Sequence, residues 1–195
     1  MTTGRLWRSA CPLVPQRSSP PHLAHVLPFV LPLALWQALV MPSDVALEVG
    51  CAGGKTTDAL GRRALVAYGV DKSSDPYMHE QQQEHTRRHV KFFEANALDL
   101  DTLTELSKRA AREAQEVHEG EATQGRPDAL PSERVPSGFS VVLVDLSGSA
   151  RLAAVLEAVE RYEACFRSSL RLIIVKNYRL ACFLDRTRPF EATHA

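Results

Sequence analysis

The sequence predicts an α/β fold: a parallel sheet with helices on both faces. Two observations carry this. Short apolar runs recur at Val45–Val49, Leu65–Val70, Val90–Phe93, Phe139–Val144 and Leu170–Val175. Between them lie polar or amphipathic stretches with helical spacing. Strands that are apolar throughout are buried on both faces, and strands that alternate with helices build parallel sheets. At 195 residues and 45% apolar composition, one core is expected.

Residues 1–43 differ from the rest. They hold Arg5, Arg8 and Arg17, no acid, and seven of the twelve prolines; Asp44 is the first carboxylate. Acid-poor leaders containing Arg and Ser are similar to organelle transit peptides. The expected location is therefore intracellular: cytoplasmic, or mitochondrial or plastid if the leader is such a peptide. His25–Val40 is apolar but short and is broken by Pro28 and Pro32. A spanning helix needs about 20 apolar residues, so no membrane span is expected. The stretch instead predicts an apolar helix over Leu33–Met41 that packs on the domain.

The main domain is expected over residues 44–184, with a tail at 185–195. Val45–Val49 is its first strand, and a glycine-rich turn follows. Lys55–Arg62 reads as a short helix, Leu65–Val70 as the second strand, and Pro76–His89 as a polar helix. Val90–Phe93 is the third strand. Thr102-Leu-Thr-Glu105 has the form of a capping box, and Leu103, Leu106, Ala110, Ala114 and Val117 continue it as a helical stripe. Glu119–Ser137 is rich in Pro, Gly, Ser and charge and reads as a flexible insertion. Phe139–Val144 is the fourth strand. Arg151–Cys165 is an amphipathic helix through Leu152, Val155, Leu156, Val159 and Tyr162. Leu170–Val175 is the fifth strand.

Formal net charge is zero, which leaves no global field for nucleic acid or membrane. The four cysteines are scattered without a C-x-x-C pair and read as free thiols; no metal is expected. His79, His85 and His89 share helical spacing, but Arg87, Arg88 and Lys91 beside them favour a solvated face.

The chemistry is expected at the turn Gly50-Cys-Ala-Gly-Gly54, because ligands of parallel sheets bind beyond the strands' carboxyl ends. Three readings of the turn stay open. A dinucleotide fingerprint, G-x-G-x-x-G, is matched only in part, since Ala52 stands at its second glycine. A P-loop ending in Gly54-Lys55-Thr56 lacks its first glycine, because position 49 is Val49. In the third, the ligand carries positive charge and no phosphate, as S-adenosylmethionine does. Glu48 then attracts the cationic end, Asp71 accepts the ribose hydroxyls, and Asn96-Ala97 reads the adenine. Lys55 is a further candidate, at a helix start, for the cofactor carboxylate.

Leu47-Glu-Val-Gly-Cys-Ala-Gly-Gly54 resembles motif I of the class I S-adenosylmethionine-dependent methyltransferases. Gly69-Val-Asp71 is similar to the acidic end of their second motif, and Glu94-Ala-Asn-Ala97 to their adenine motif. The resemblance implies a Rossmann-like sheet, S-adenosyl-L-methionine as cofactor, and methyl transfer. Its cofactor set maps to Glu48, Gly50, Cys51, Ala52, Gly53, Asp71, Lys72, Asn96, Ala97 and Asp145. Asp145 and Lys176 resemble two members of a Lys-Asp-Lys-Glu catalytic set that acts on RNA ribose 2′-hydroxyls. The acceptor, whether RNA, protein or small molecule, and the oligomeric state are left open. The family's terminal strand pair is expected to be missing, because Arg186–Ala195 does not read as strands; this would leave the fifth strand at an open edge. The alternatives are a non-catalytic Rossmann-like binding domain and a P-loop nucleotide hydrolase.

Overall fold

A computed structural model describes residues 23–27, 38–73, 76–85, 89–123, 134–147 and 150–186. Its centre is a sheet of six strands: β1 (Leu23–Leu27), β2 (Val45–Val49), β3 (Val66–Asp71), β4 (Val90–Glu94), β5 (Val141–Val144) and β6 (Leu172–Lys176). Their order is β1-β6-β5-β2-β3-β4, and every pairing is parallel. The helices are α1 (Lys55–Gly61), α2 (Pro76–His85), α3 (Leu100–Thr123), α4 (Leu152–Cys165) and α5 (Tyr178–Arg186). This is the expected α/β, Rossmann-like arrangement.

Strand alternation divides the core in two. Val45, Leu47 and Val49 join Tyr68, Val142 and Val144 on one face, under Leu103, Ala110 and Ala114 of α3 and Val155, Ala158 and Tyr162 of α4. Ala46 joins Ala67, Leu143 and Ile174 on the other, under Leu60 of α1 and Val40. Each fully buried Leu or Val contributes about 1.5–3 kcal/mol relative to exposure. Phe139 meets Tyr68 at 6.0 Å and Phe166 at 5.5 Å edge-on, which ties the α4 end to the sheet. At the amino ends of the strands, buried Asp44 accepts from Arg171 Nη2 at 2.5 Å and from Ser140 Oγ at 2.8 Å.

The fifth apolar run, β6, is not an open edge. β1 pairs with it along its whole length, Leu23 opposite Leu172 through Leu27 opposite Lys176. This strand lies inside the acid-poor stretch, between prolines and with His25 at its centre, so neither length nor alternation marked it. Of the helix expected at Leu33–Met41, residues 38–41 are turn or irregular, and the rest lies outside the described residues.

The capping box at Thr102 is corrected. Asp99 is the cap: its carboxylate accepts from Thr102 N at 3.2 Å and from Thr102 Oγ1 at 2.7 Å. Thr102 therefore sits in the first turn, and α3 runs on to Thr123, well into the expected loop. Helix α5 was not expected. Its signal was legible, since Asn177 Oδ1 accepts from Leu180 N at 2.9 Å as an N-cap. Among the described residues, no helix is long and apolar enough to cross a membrane.

Candidate functional site

The chain passes from β2 outward to β3 and β4, then returns to β5 on the other side of β2. The strand order therefore reverses between β2 and β5, where such sheets form their ligand crevice. The β2 turn meets the end of β5 closely. Gly50 has φ +84°, and a Cβ there would fall on the Asp145 carbonyl oxygen. Glycine is required on both counts.

Four amides of the turn bond within the protein. Gly50 N and Cys51 N donate to Val70 O at 2.8 and 3.1 Å, Gly54 N to Cys51 O at 2.8 Å, and Ala52 N to Asp71 Oδ2 at 2.9 Å. A phosphate cradle needs such amides pointing outward. Lys55 is exposed at the start of α1. The P-loop and dinucleotide readings would thus have only the Gly53 amide and the first amides of α1 left in the turn for a phosphate.

Glu48 is not where its expected role requires. It is 1% exposed, beneath α1, and Thr57 Oγ1 donates to its Oε2 at 2.5 Å. Burial pushes its pKa up from 4.5 to about 8; the Thr57 bond opposes the rise, and the nearby Asp145 carboxylate adds to it. At neutral pH the carboxyl is mostly protonated and attracts no sulfonium. Nor does it share a cleft with Asp71. The gap above Gly69, opposite Glu48 in the ladder, is filled: a Cβ on Gly69 would stand 2.7 Å from Thr57 Oγ1 and 3.0 Å from Cys51 Cβ. Cys51 is itself buried; burial first, then the Glu48 and Asp71 carboxylates, push its thiol pKa far up. It is a packing residue.

Asp71 ends β3 half-buried. Its Oδ2 accepts from Ala52 N, and its Oδ1 accepts from Ser73 N at 2.9 Å. Each oxygen retains a lone pair. Lys72 beside it is exposed, as is Ala52. Gln82 of α2 donates to Ala52 O at 2.7 Å, and Gly53 lies against Gln81, so α2 braces the turn. Neither glutamine was singled out in the sequence, where the polar helix carries no motif. Asn96 stands two residues past Glu94, the ladder partner of Asp71. It is exposed, and its Oδ1 accepts from Leu98 N at 3.0 Å, which turns its amide nitrogen outward. Tyr162 OH donates to Ala97 O at 2.7 Å and anchors that turn from below.

Across the reversal point, Lys176 Nζ donates to Asp145 Oδ2 at 2.6 Å. Asn177 Nδ2 reaches Ser147 O and Ala150 O at 3.5 and 3.4 Å, so the cap of α5 also braces the loop after β5. Asp71 and Lys72 thus stand at the end of β3 and Asn96 just past β4, while Asp145 and Lys176 pair across the ends of β5 and β6. Among the described residues, no group of three or more His, Cys, Asp or Glu could hold a metal ion.

No family model matches the chain, and no curated protein matches it. The solved structures that are similar in part include the following two. One, described as precorrin 8W decarboxylase of Methanobacterium thermoautotrophicum, is 18% identical with a TM-score of 0.42, and covers 73% of this chain and 59% of that one. The other, a functionally unknown protein from Deinococcus radiodurans R1, is 17% identical with a TM-score of 0.35, and covers 66% and 44%. The chain therefore spans about three fifths of the first and under half of the second. Neither likeness transfers an activity.

The expected membership of the class I methyltransferases, and methyl transfer with it, is corrected. No family model supplies the missing support. The acid that the resemblance placed against the sulfonium is buried and protonated.

Proposed function

We propose that this is a Rossmann-like binding domain for a ribose-bearing nucleoside without phosphates. The observation that carries the reading is Asp71: a half-buried carboxylate fixed by two backbone amides, with one lone pair per oxygen left for a cis-diol. Four amides of the neighbouring turn, those of Gly50, Cys51, Ala52 and Gly54, are taken up internally, which favours a neutral or sulfonium nucleoside over one carrying phosphates. In this reading Asn96, whose amide oxygen is held by Leu98 N, offers its amide nitrogen to the base edge, and Lys72 meets a carboxylate at the ligand's rim. S-adenosyl-L-methionine and its demethylated product belong to this class, as does adenosine. The Lys176–Asp145 pair supplies a charged hydrogen-bond donor and acceptor at the ends of β5 and β6 for a polar part of the ligand.

Calorimetric titration tests the reading. Adenosine and S-adenosylhomocysteine bind, ATP binds no tighter than adenosine, and Asp71→Ala weakens both nucleosides about 10- to 150-fold, the loss of one charge-assisted hydrogen bond or more. Equal affinity for adenosine and 2′,3′-dideoxyadenosine, or no heat with any nucleoside, sinks it.

A further inference from the structure

At the β4 edge of the sheet, away from the crevice, two pockets adjoin. One, of about 300 Å³, is lined by Lys91 of β4 and by Arg109, Arg112 and Glu113 of α3. The other, of about 370 Å³, is lined by Lys91, Phe92 and Phe93 of β4, His79 of α2 and again Arg109. Each has the volume of a small-ligand site. The wall they share is cationic, Lys91 and Arg109. The Arg109 guanidinium lies 5.3 Å from the Phe93 ring centre, and Tyr68 packs on Phe93 at 4.9 Å. Arg109 is exposed, so the aromatic pair supports a flat cation toward solvent.

We propose that this trough takes a short single-stranded nucleic acid, one nucleotide in each pocket, with the linking phosphate on Arg109 and Lys91. Flat cations on aromatic rings stack bases without reading sequence, and cations at the junction of two compartments meet the diester between them. Arg112 lies one helical turn from Arg109 and takes a flanking phosphate. The acids fit the same reading. Glu113 is held by Tyr68 OH at 2.7 Å and Lys91 Nζ at 2.5 Å, and Lys91 is left to bridge it to a phosphate. Glu116, at the far end of the first pocket, limits how far the strand extends along α3. The zero net charge of the chain requires binding of this kind to come from local geometry.

Fluorescence anisotropy with a labelled single-stranded decanucleotide and the full chain tests the proposal across a salt series. Three cations predict a log–log salt slope of about −2, and each lost cation removes about 0.7. Arg112→Gln alone, an exposed change, lowers the slope by about one such step; Arg109→Gln with Arg112→Gln lowers it by about two. Arg167→Gln, an exposed arginine after α4, and Asp71→Ala leave it unchanged. Far-UV circular dichroism confirms that each variant is folded. The proposal is overturned if the strand does not bind, if Arg112→Gln leaves the slope unaltered, or if Arg167→Gln lowers it equally. Displacement by polyglutamate at equal charge, or a nucleoside monophosphate binding as tightly as the strand, overturns it as well.

Discussion

Thr57 Oγ1 and Glu48 Oε2 lie 2.5 Å apart beneath helix α1, in a space closed to solvent. The bond keeps a carboxyl group in the core by giving it a donor, and burial keeps that group protonated. The resulting pH dependence has a definite sign. The pKa is raised from 4.5 in the open chain to about 8 in the fold. Below pH 4.5 both states hold the proton, and Glu48 costs nothing. Between pH 4.5 and 8 the unfolded chain releases it first, so stability falls; above pH 8 the loss is complete. Glu48→Gln removes the titration and keeps an acceptor for Thr57. The variant is expected to match the parent near pH 4.5 and to exceed it by several kcal/mol at pH 8. Urea unfolding at the two pH values checks this; equal differences at both would refute it.

Gly50→Ala should cost more than the Cβ alone suggests. The left-handed backbone costs about 1–2 kcal/mol for a non-glycine residue, and the methyl group must also displace the Asp145 carbonyl. A fall in the urea midpoint with an unchanged m-value is the expected result, together with loss of nucleoside binding.

Arg171→Ala isolates the latch at the amino ends of the strands. It leaves Asp44 buried with only the Ser140 hydroxyl and the Met41 amide as donors. The expected loss is about 2 kcal/mol, below the figure of about 3–5 for a fully buried pair, because the guanidinium is partly exposed. Chemical denaturation measures it, and addition of salt should change it little.

Tyr162→Phe removes one hydroxyl from beneath the Asn96–Ala97 turn. Leaving the Ala97 carbonyl unpaired is expected to cost about 1 kcal/mol. Hydrogen exchange should rise at Leu98 and Asp99, whose amides close that turn. Unchanged exchange would mean that Tyr162 does not hold the turn.

Much of the fold was legible because β2, β3, β5 and β6 are buried on both faces and are therefore mostly apolar, with Glu48 inside β2 and polar groups at the ends of β3 and β6, a pattern that survives without any partner in view. The α5 helix was readable too, from Asn177 and the amphipathic run after it. The β1 strand was not legible. Its five residues carry no alternation, and only β6 beside it makes them a strand.

The site divides in the same way. The glycine turn and Asp71 could be placed at neighbouring strand ends from spacing alone, because a parallel sheet puts every carboxyl end on one side. Which of the acids reaches solvent could not. Glu48 and Asp71 look alike as residues at successive strand ends. Thr57, Cys51 and helix α1 remove water from the first, while two backbone amides hold the second at the surface. Desolvation depends on every group that surrounds a carboxyl, and those groups come from distant parts of the chain. Sequence by itself therefore determined the layers and the side of the sheet on which the strand ends and their acids lie; only the tertiary structure decided which carboxyl is buried and which reaches solvent.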